Sequence, residues 1–393
     1  MNFPERFSNL PAYAFPRLRA LLDHHTPGGE VVHMTIGEPK HAFPQWVTDV
    51  IVENAAGFQG YPQNEGMDAL RGSISDWIGR RYGVQVDPAA QVMALNGTRE
   101  GLYNAAMALC PETKNGQTPV VLCPNPFYQV YMVAALSVGA EPVFVPATTA
   151  TGHLPDFAGL PEDVLNRTAI AYICSPANPQ GAVASREYWT QLIHLAEKYD
   201  FRIFADECYS EIYRDEAPTG VLTVANELDA DPERITLFNS LSKRSNLAGL
   251  RSGFIAGGSQ TITKVKQLRS YSGAPLPSPL QAAAARVWAD EDHVIENRRL
   301  YQEKYVVADE VLSGVQGYMA PEAGFFLWLP VDNGEQAALK LWQETGVRVL
   351  PGSYLAQGEA GQNPGEHYIR VALVAPKEDT RRALITLRDC LYG

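Results

Sequence analysis

Between about residue 90 and residue 260, short apolar runs alternate with helical stretches, and this rhythm restricts the architectures open to the chain. The runs are VMAL (92–95), PVVLC (119–123), EPVFVP (141–146), TAIAYIC (168–174), FRIFAD (201–206), ITLF (235–238) and FIAG (254–257). Strand and helix in alternation predict an α/β domain with a mostly parallel sheet. In such sheets ligands sit at the carboxyl ends of the strands. After residue 280 the texture changes. A helical stretch from about Leu280 to Leu312 precedes GFFLWLPV (324–331), VRVLPGSYL (347–355) and YIRVALV (368–374). That pattern predicts a second, smaller α+β domain. A chain of 393 residues is long for one core. The expected division is a large domain over 45–285 and a small one from 1–44 with 286–393.

The charge balance excludes some partners. A net charge of −12 argues against nucleic acid and anionic membrane surfaces. The longest charge-free stretch, between Lys114 and Glu141, is broken by Pro119, Pro124 and Pro126, so no membrane span is expected. Glu5 and Arg6 do not suit a signal peptide. Cys110, Cys123, Cys174, Cys208 and Cys390 show no CxxC spacing, and the eight histidines show no HExxH. Neither a disulfide framework nor a metal site is predicted, and a cytoplasmic location fits reduced thiols.

The chemistry concentrates in ITLFNSLSKRSNLAGLRSGFIAG (235–257). Its pattern predicts a strand, a tight loop and a strand, with Lys243 and Arg251 at the two ends of the loop. Taken alone, Lys243 reads as a solvated surface lysine. Desolvated, it could form a Schiff base, because a lowered pKa leaves the amine neutral and nucleophilic. Ser240, Ser242 and Arg251 suit a phosphate. An aldehyde and a phosphate occur together in pyridoxal 5′-phosphate. The SLSK…GLRSG pattern resembles the class I/II, fold type I, pyridoxal-phosphate-dependent aminotransferases.

The resemblance extends along most of the chain, and each matching residue also has a plainer reading. Asp206 closes the apolar run IFAD, as an N-cap, a turn residue or, by the resemblance, the partner of a pyridinium nitrogen. Tyr209 and Asn178 are implied to bond the ring oxygen; otherwise they are a core tyrosine and a turn residue. In SPANPQG, Gln180 replaces the family's usual threonine. Phe127 is implied to lie on the ring face, or is simply core. Thr98 and Arg99 follow a strand and open a helix, a seat for an anion or a capped loop. Gly37 is a turn or a close approach to substrate, and Arg370 is a clamp for the substrate α-carboxylate or an internal ion pair. Tyr61 matches the tyrosine that reaches the phosphate across a dimer interface, which implies a homodimer with shared active sites.

Segments such as LPAYAFPRLRALL, IGEPKH, NGTREGL, DECYSEIY and LPGSYLA are similar to bacterial N-succinyl-diaminopimelate aminotransferases of lysine biosynthesis. Ala248 stands where that family commonly has proline. The resemblance implies amino transfer from N-succinyl-LL-2,6-diaminopimelate to 2-oxoglutarate, giving N-succinyl-2-amino-6-ketopimelate and glutamate. Another class I aminotransferase or a C–S β-lyase is the nearest alternative. A cofactor-sensing regulator without activity is more distant, since no length is left over for a DNA-binding domain and the charge is unsuitable.

Overall fold

The computed structural model describes residues 5–8, 10, 12–358 and 361–393. Its centre is a seven-stranded sheet built from β1 (Val92–Leu95), β2 (Val120–Asn125), β3 (Glu141–Pro146), β4 (Thr168–Cys174), β5 (Arg202–Asp206), β6 (Ile235–Ser240) and β7 (Gly253–Gly257). The spatial order is β1-β7-β6-β5-β4-β2-β3. Only β7 runs antiparallel to its neighbours. Helices cover both faces, so the strands are apolar throughout rather than alternating. In β4, Ile170 and Tyr172 enter one core while Ala171 and Ile173 enter the other, as a two-residue period requires. This is the α/β, fold type I architecture expected from the sequence.

A second sheet orders β8 (Phe326–Pro330), β9 (Leu350–Pro351) and β10 (Tyr368–Ala372) as β9-β10-β8, all antiparallel. Helices Asp292–Leu312, Gly334–Thr345 and Lys377–Tyr392 contribute to its core. The N-terminal segment joins this part of the molecule. Helix Ala14–Leu22 packs near Trp342, and Val32–His33 pairs in parallel with Val347–Arg348.

Two local expectations change. The stretch read as one helix from Leu280 to Leu312 is two helices, Ser278–Ala289 and Asp292–Leu312. Asp290 stands in the break, and its carboxylate accepts the His293 backbone N–H at 3.3 Å, as at a helix start. Val287 and Trp288 belong to the core of the large sheet. The loop at Lys243 also contains a helical turn, Leu241–Arg244. Ser240 caps it, accepting the Ser242 N–H at 3.4 Å.

Candidate active site

The topology brings the chemistry together at the carboxyl edge of the parallel strands. β5 ends at Asp206, β6 leads to Lys243, β4 leads to Asn178, β2 leads to Phe127 and β1 leads to Thr98. All five line one cavity of about 460 Å³, together with Gly37, Arg99, Tyr209, Ser240, Ser242, Arg251 and Arg370.

Lys243 and Asp206 are two of the charged groups that line this cavity. The Lys243 Nζ donates to the Gly37 carbonyl. Burial, reinforced by Arg370 and Arg251, lowers its pKa to about 8 against the pull of Cys208 and Glu38. At neutral pH a usable fraction of the amine is therefore unprotonated. Asp206 is 5% exposed. Its Oδ2 accepts the Tyr131 hydroxyl at 2.9 Å and its Oδ1 accepts the Cys208 N–H at 3.4 Å. Burial raises its pKa, while these donors oppose the rise. It forms no ion pair among the described residues, so a cation placed against it would be strongly held.

One flank is shaped for an anion. Helix Thr98–Leu109 begins at Gly97, whose φ is +82°. A Cβ on Gly97 would stand 2.1 Å from Arg251 Nη2, so only glycine lets the guanidinium lie against this turn. Arg251 donates to the carbonyls of Ala248 at 2.9 Å and Asn96 at 3.4 Å. It shares the cavity wall with Ser240, Ser242 and Thr98, the first residue of the helix, where an N-terminus favours an anion. Arg99 lines the same wall, its Nε held by the Tyr128 hydroxyl at 2.6 Å.

Arg370 approaches from β10. It is 4% exposed, and it forms no ion pair among the described residues. Its Nη1 donates to Asn178 Oδ1 at 3.0 Å and its Nη2 to the Thr35 carbonyl at 2.8 Å, while the buried Nε has no partner. Burial lowers its pKa to about 10. The internal ion pair left open by the sequence is therefore absent. A buried guanidinium beside a cavity, lacking an anion, suits a carboxylate ligand.

The remaining candidates are placed less simply. Tyr209 lines the cavity with its ring edge-on to Phe325 and Phe326. Phe127 lines it too, packed on Phe144 with centroids 4.9 Å apart. Gly37 is close to the site, but the approach that demands glycine is to protein: its Cβ would meet the Phe326 ring at 2.5 Å. Its contribution to the cavity is its carbonyl. Tyr61 is fully exposed and lies outside this cavity. Sequence reasoning missed Tyr131 and Cys208. Cys208 carries its Sγ 3.2 Å from Thr98 Oγ1 and 3.8 Å from Ser240 Oγ.

This fold, with a buried amine, a buried carboxylate and an anion cradle at its strand ends, is that of the fold type I pyridoxal-phosphate enzymes. The pattern of the class I and II aminotransferases matches residues 29–387, and the chain belongs to that family. It is 32% identical to the LL-diaminopimelate aminotransferase of Moorella thermoacetica, covering 100% of this chain and 99% of that one. A crystal structure of an aminotransferase from Neisseria meningitidis superposes with a TM-score of 0.93 at 37% identity, covering 98% of this chain and 99% of that one. A probable N-succinyldiaminopimelate aminotransferase from Thermus thermophilus shares the fold, with a TM-score of 0.84 at 24% identity over 96% of this chain and 100% of that one. The cofactor of the family is pyridoxal 5′-phosphate, and the reaction moves an amino group from an amino acid to an oxo acid. No helix among the described residues is long and apolar enough to cross a membrane.

Proposed function

We propose that this aminotransferase acts in lysine and diaminopimelate biosynthesis, moving an amino group from a diaminopimelate-type donor to 2-oxoglutarate. The observation that carries the reading is Arg370, a buried guanidinium without an anion on the cavity that holds Lys243 and Asp206. The residues fit the cofactor. The Gly97–Arg251 cradle with Ser240, Ser242, Thr98 and Arg99 would hold the phosphate, and Asp206 the ring nitrogen. Asn178 and Tyr209 would hold the ring oxygen, and Phe127 would cover a ring face. Bound there, pyridoxal phosphate supplies an electrophilic carbon and an electron-accepting ring.

The chain's own groups do the rest. Arg370 binds the α-carboxylate of the amino acid as a two-toothed fork and, with Asn178, orients its Cα. Asn178 can serve both sides, since its Oδ1 is occupied by Arg370 and its Nδ2 has no partner among the described residues. Lys243, whose amine is near half-neutral at about pH 8, takes the Cα proton and returns it as general base and acid. The Gly37 carbonyl gives that amine an acceptor while it is free. Asp206, held by Tyr131 and the Cys208 N–H, would oppose a positive ring nitrogen. We also propose a homodimer with shared active sites, in which the exposed Tyr61 reaches the partner's phosphate; exposed Phe58 and Tyr271 add apolar surface.

The donor is read as N-succinyl-LL-2,6-diaminopimelate, on the segments IGEPKH, NGTREGL and LPGSYLA. Free LL-2,6-diaminopimelate is the second reading, favoured by the names of full-length relatives at about 30% identity. Either donor has a long methylene chain, and Tyr13, Phe15, Ile36 and Leu355 offer apolar wall for it. Presented with the two donors in turn and 2-oxoglutarate, the enzyme should form glutamate faster from the succinylated one. Preference for the free amino acid would exchange the readings, and ammonia without glutamate from an amino acid that carries a C–S bond at Cβ would indicate a lyase. Arg370→Ala should lose about 2–5 kcal/mol of transition-state binding in kcat/KM for either donor, with the cofactor content unchanged. Steady-state kinetics on cofactor-matched samples would show this.

A further inference from the structure

Three polar side chains outside the cavity form a row ending on the backbone of Lys243. Lys304 lies within helix Asp292–Leu312, is 1% exposed and forms no ion pair among the described residues. Its Nζ is 2.7 Å from His41 Nε2 and donates to the Leu373 carbonyl at 3.0 Å. His41 Nδ1 is 2.9 Å from Asn297 Oδ1. The Asn297 Nδ2 donates to the carbonyls of Lys243 and Arg244, each at 3.2 Å.

Valence sets the direction of this row. Carbonyls only accept, so the Asn297 amide must turn its NH2 to the Lys243 turn and its Oδ1 to His41. That oxygen also only accepts, so His41 carries a proton on Nδ1. The bond between His41 Nε2 and Lys304 Nζ then survives with at most one positive charge on the pair. A second proton puts donor against donor and cation against cation.

The surroundings favour the singly charged pair. Burial lowers Lys304 to about 7, and Lys40 adds to this. Burial and Lys304 lower His41, against Asn297 and Glu296. The Tyr301 ring packs on His41 with centroids 4.6 Å apart.

The row also closes a circuit. His41 is in the segment that carries Gly37, whose carbonyl accepts from the Lys243 amine. Lys243 is thus held by its backbone through Asn297 and by its amine through the segment that His41 anchors. The same helix grips the turn again two residues on, where His293 Nε2 lies 2.8 Å from Ser245 Oγ.

We propose that His41, Asn297 and Lys304 are positioning residues for Lys243, fixing the Gly37 segment against the Lys243 turn and releasing it when the His41–Lys304 pair takes a second proton. The mechanistic part rests on the reading of Lys243 as the lysine that bears the cofactor. The bonding pattern can be tested without it.

The first test is nitrogen NMR of the full-length protein with 15N-labelled histidine, His41 being assigned from the signals missing in His41→Gln. A neutral Nδ1–H ring that persists to lower pH than a free histidine, which titrates at about 6.5, is expected. An Nε2–H ring, or ordinary titration, would overturn the row whatever the enzyme's substrate. The second test is kinetic. Lys304→Met should lower kcat about tenfold with KM within about twofold, and should flatten the acid limb of the kcat profile. Asn297→Ala, which leaves the pair but cuts it from Lys243, should flatten the same limb. An acid limb unchanged in both variants, or a loss equal at every pH, would leave the three residues a merely structural part. Should no transamination be found with any donor, the NMR result alone decides the bonding pattern.

Discussion

Lys243→Ala is expected to keep its cofactor without a covalent bond and to lose turnover by at least about a thousandfold. The cradle explains the retention. Gly97, Ser240, Ser242 and Arg251 are untouched by the substitution, and phosphate contacts do not pass through the lysine. The loss follows from removing the one buried amine that faces both Gly37 and the cavity. Gel filtration followed by phosphate and absorbance assays measures retention, and single-turnover kinetics measure the loss. Substantial turnover without added amines would remove Lys243 from the reaction. The intact cofactor-free protein offers a companion test. Its rate of capturing pyridoxal phosphate should rise through pH about 8, because the attacking form is neutral and the amine titrates there. A rise centred near the ordinary lysine value, about 10.4, would show that the amine is not desolvated.

Asp206→Ala should slow proton abstraction by about a thousandfold or more, while weakening cofactor binding by no more than about tenfold. In the proposed seat Asp206 would meet the ring nitrogen and not the phosphate, so the two effects should separate. The carboxylate is buried and already held by Tyr131 and the Cys208 N–H. Its charge therefore acts in a medium of low polarisability, where it counts for more than at a surface. A primary isotope effect on Cα deuteration, read beside the cofactor dissociation constant, makes the comparison. Equal losses in the two quantities would place Asp206 among the residues that merely retain the cofactor.

The sequence disclosed most of the scaffold because most of its strands are buried on both faces. Such strands read as unbroken apolar runs and were legible for that reason; the edge strand β3, exposed at Glu141 and Pro146, shows a shorter apolar run. The residues at their ends were legible too, since Lys243, Asp206 and Arg370 are charges at the edge of or within apolar text. Tyr131 was not. It sits in an apolar helix, 75 positions from the aspartate it bonds, and looks like ordinary core. Cys208 was hidden because the bond its backbone N–H gives to Asp206 leaves no mark in the residue type. Gly37 was noticed for an approach to a ligand, while its missing side chain also makes room for the Phe326 ring; a glycine records that something is close but not what. The break at Asp290 was lost in a stretch rich in helix formers, although the Asp-x-x-His spacing was there to be read. Ser240 was taken for its hydroxyl chemistry alone, and its second task, capping the turn that raises Lys243, went unread.

The proposed seat of the vitamin-derived ring lies within residues 98–251, whereas the guanidinium meant for the amino acid hangs on β10. Heat or denaturant that loosens the three-stranded sheet first would leave a yellow protein that no longer recognises its donor. Colour and turnover should therefore decay on separate clocks, with turnover failing earlier.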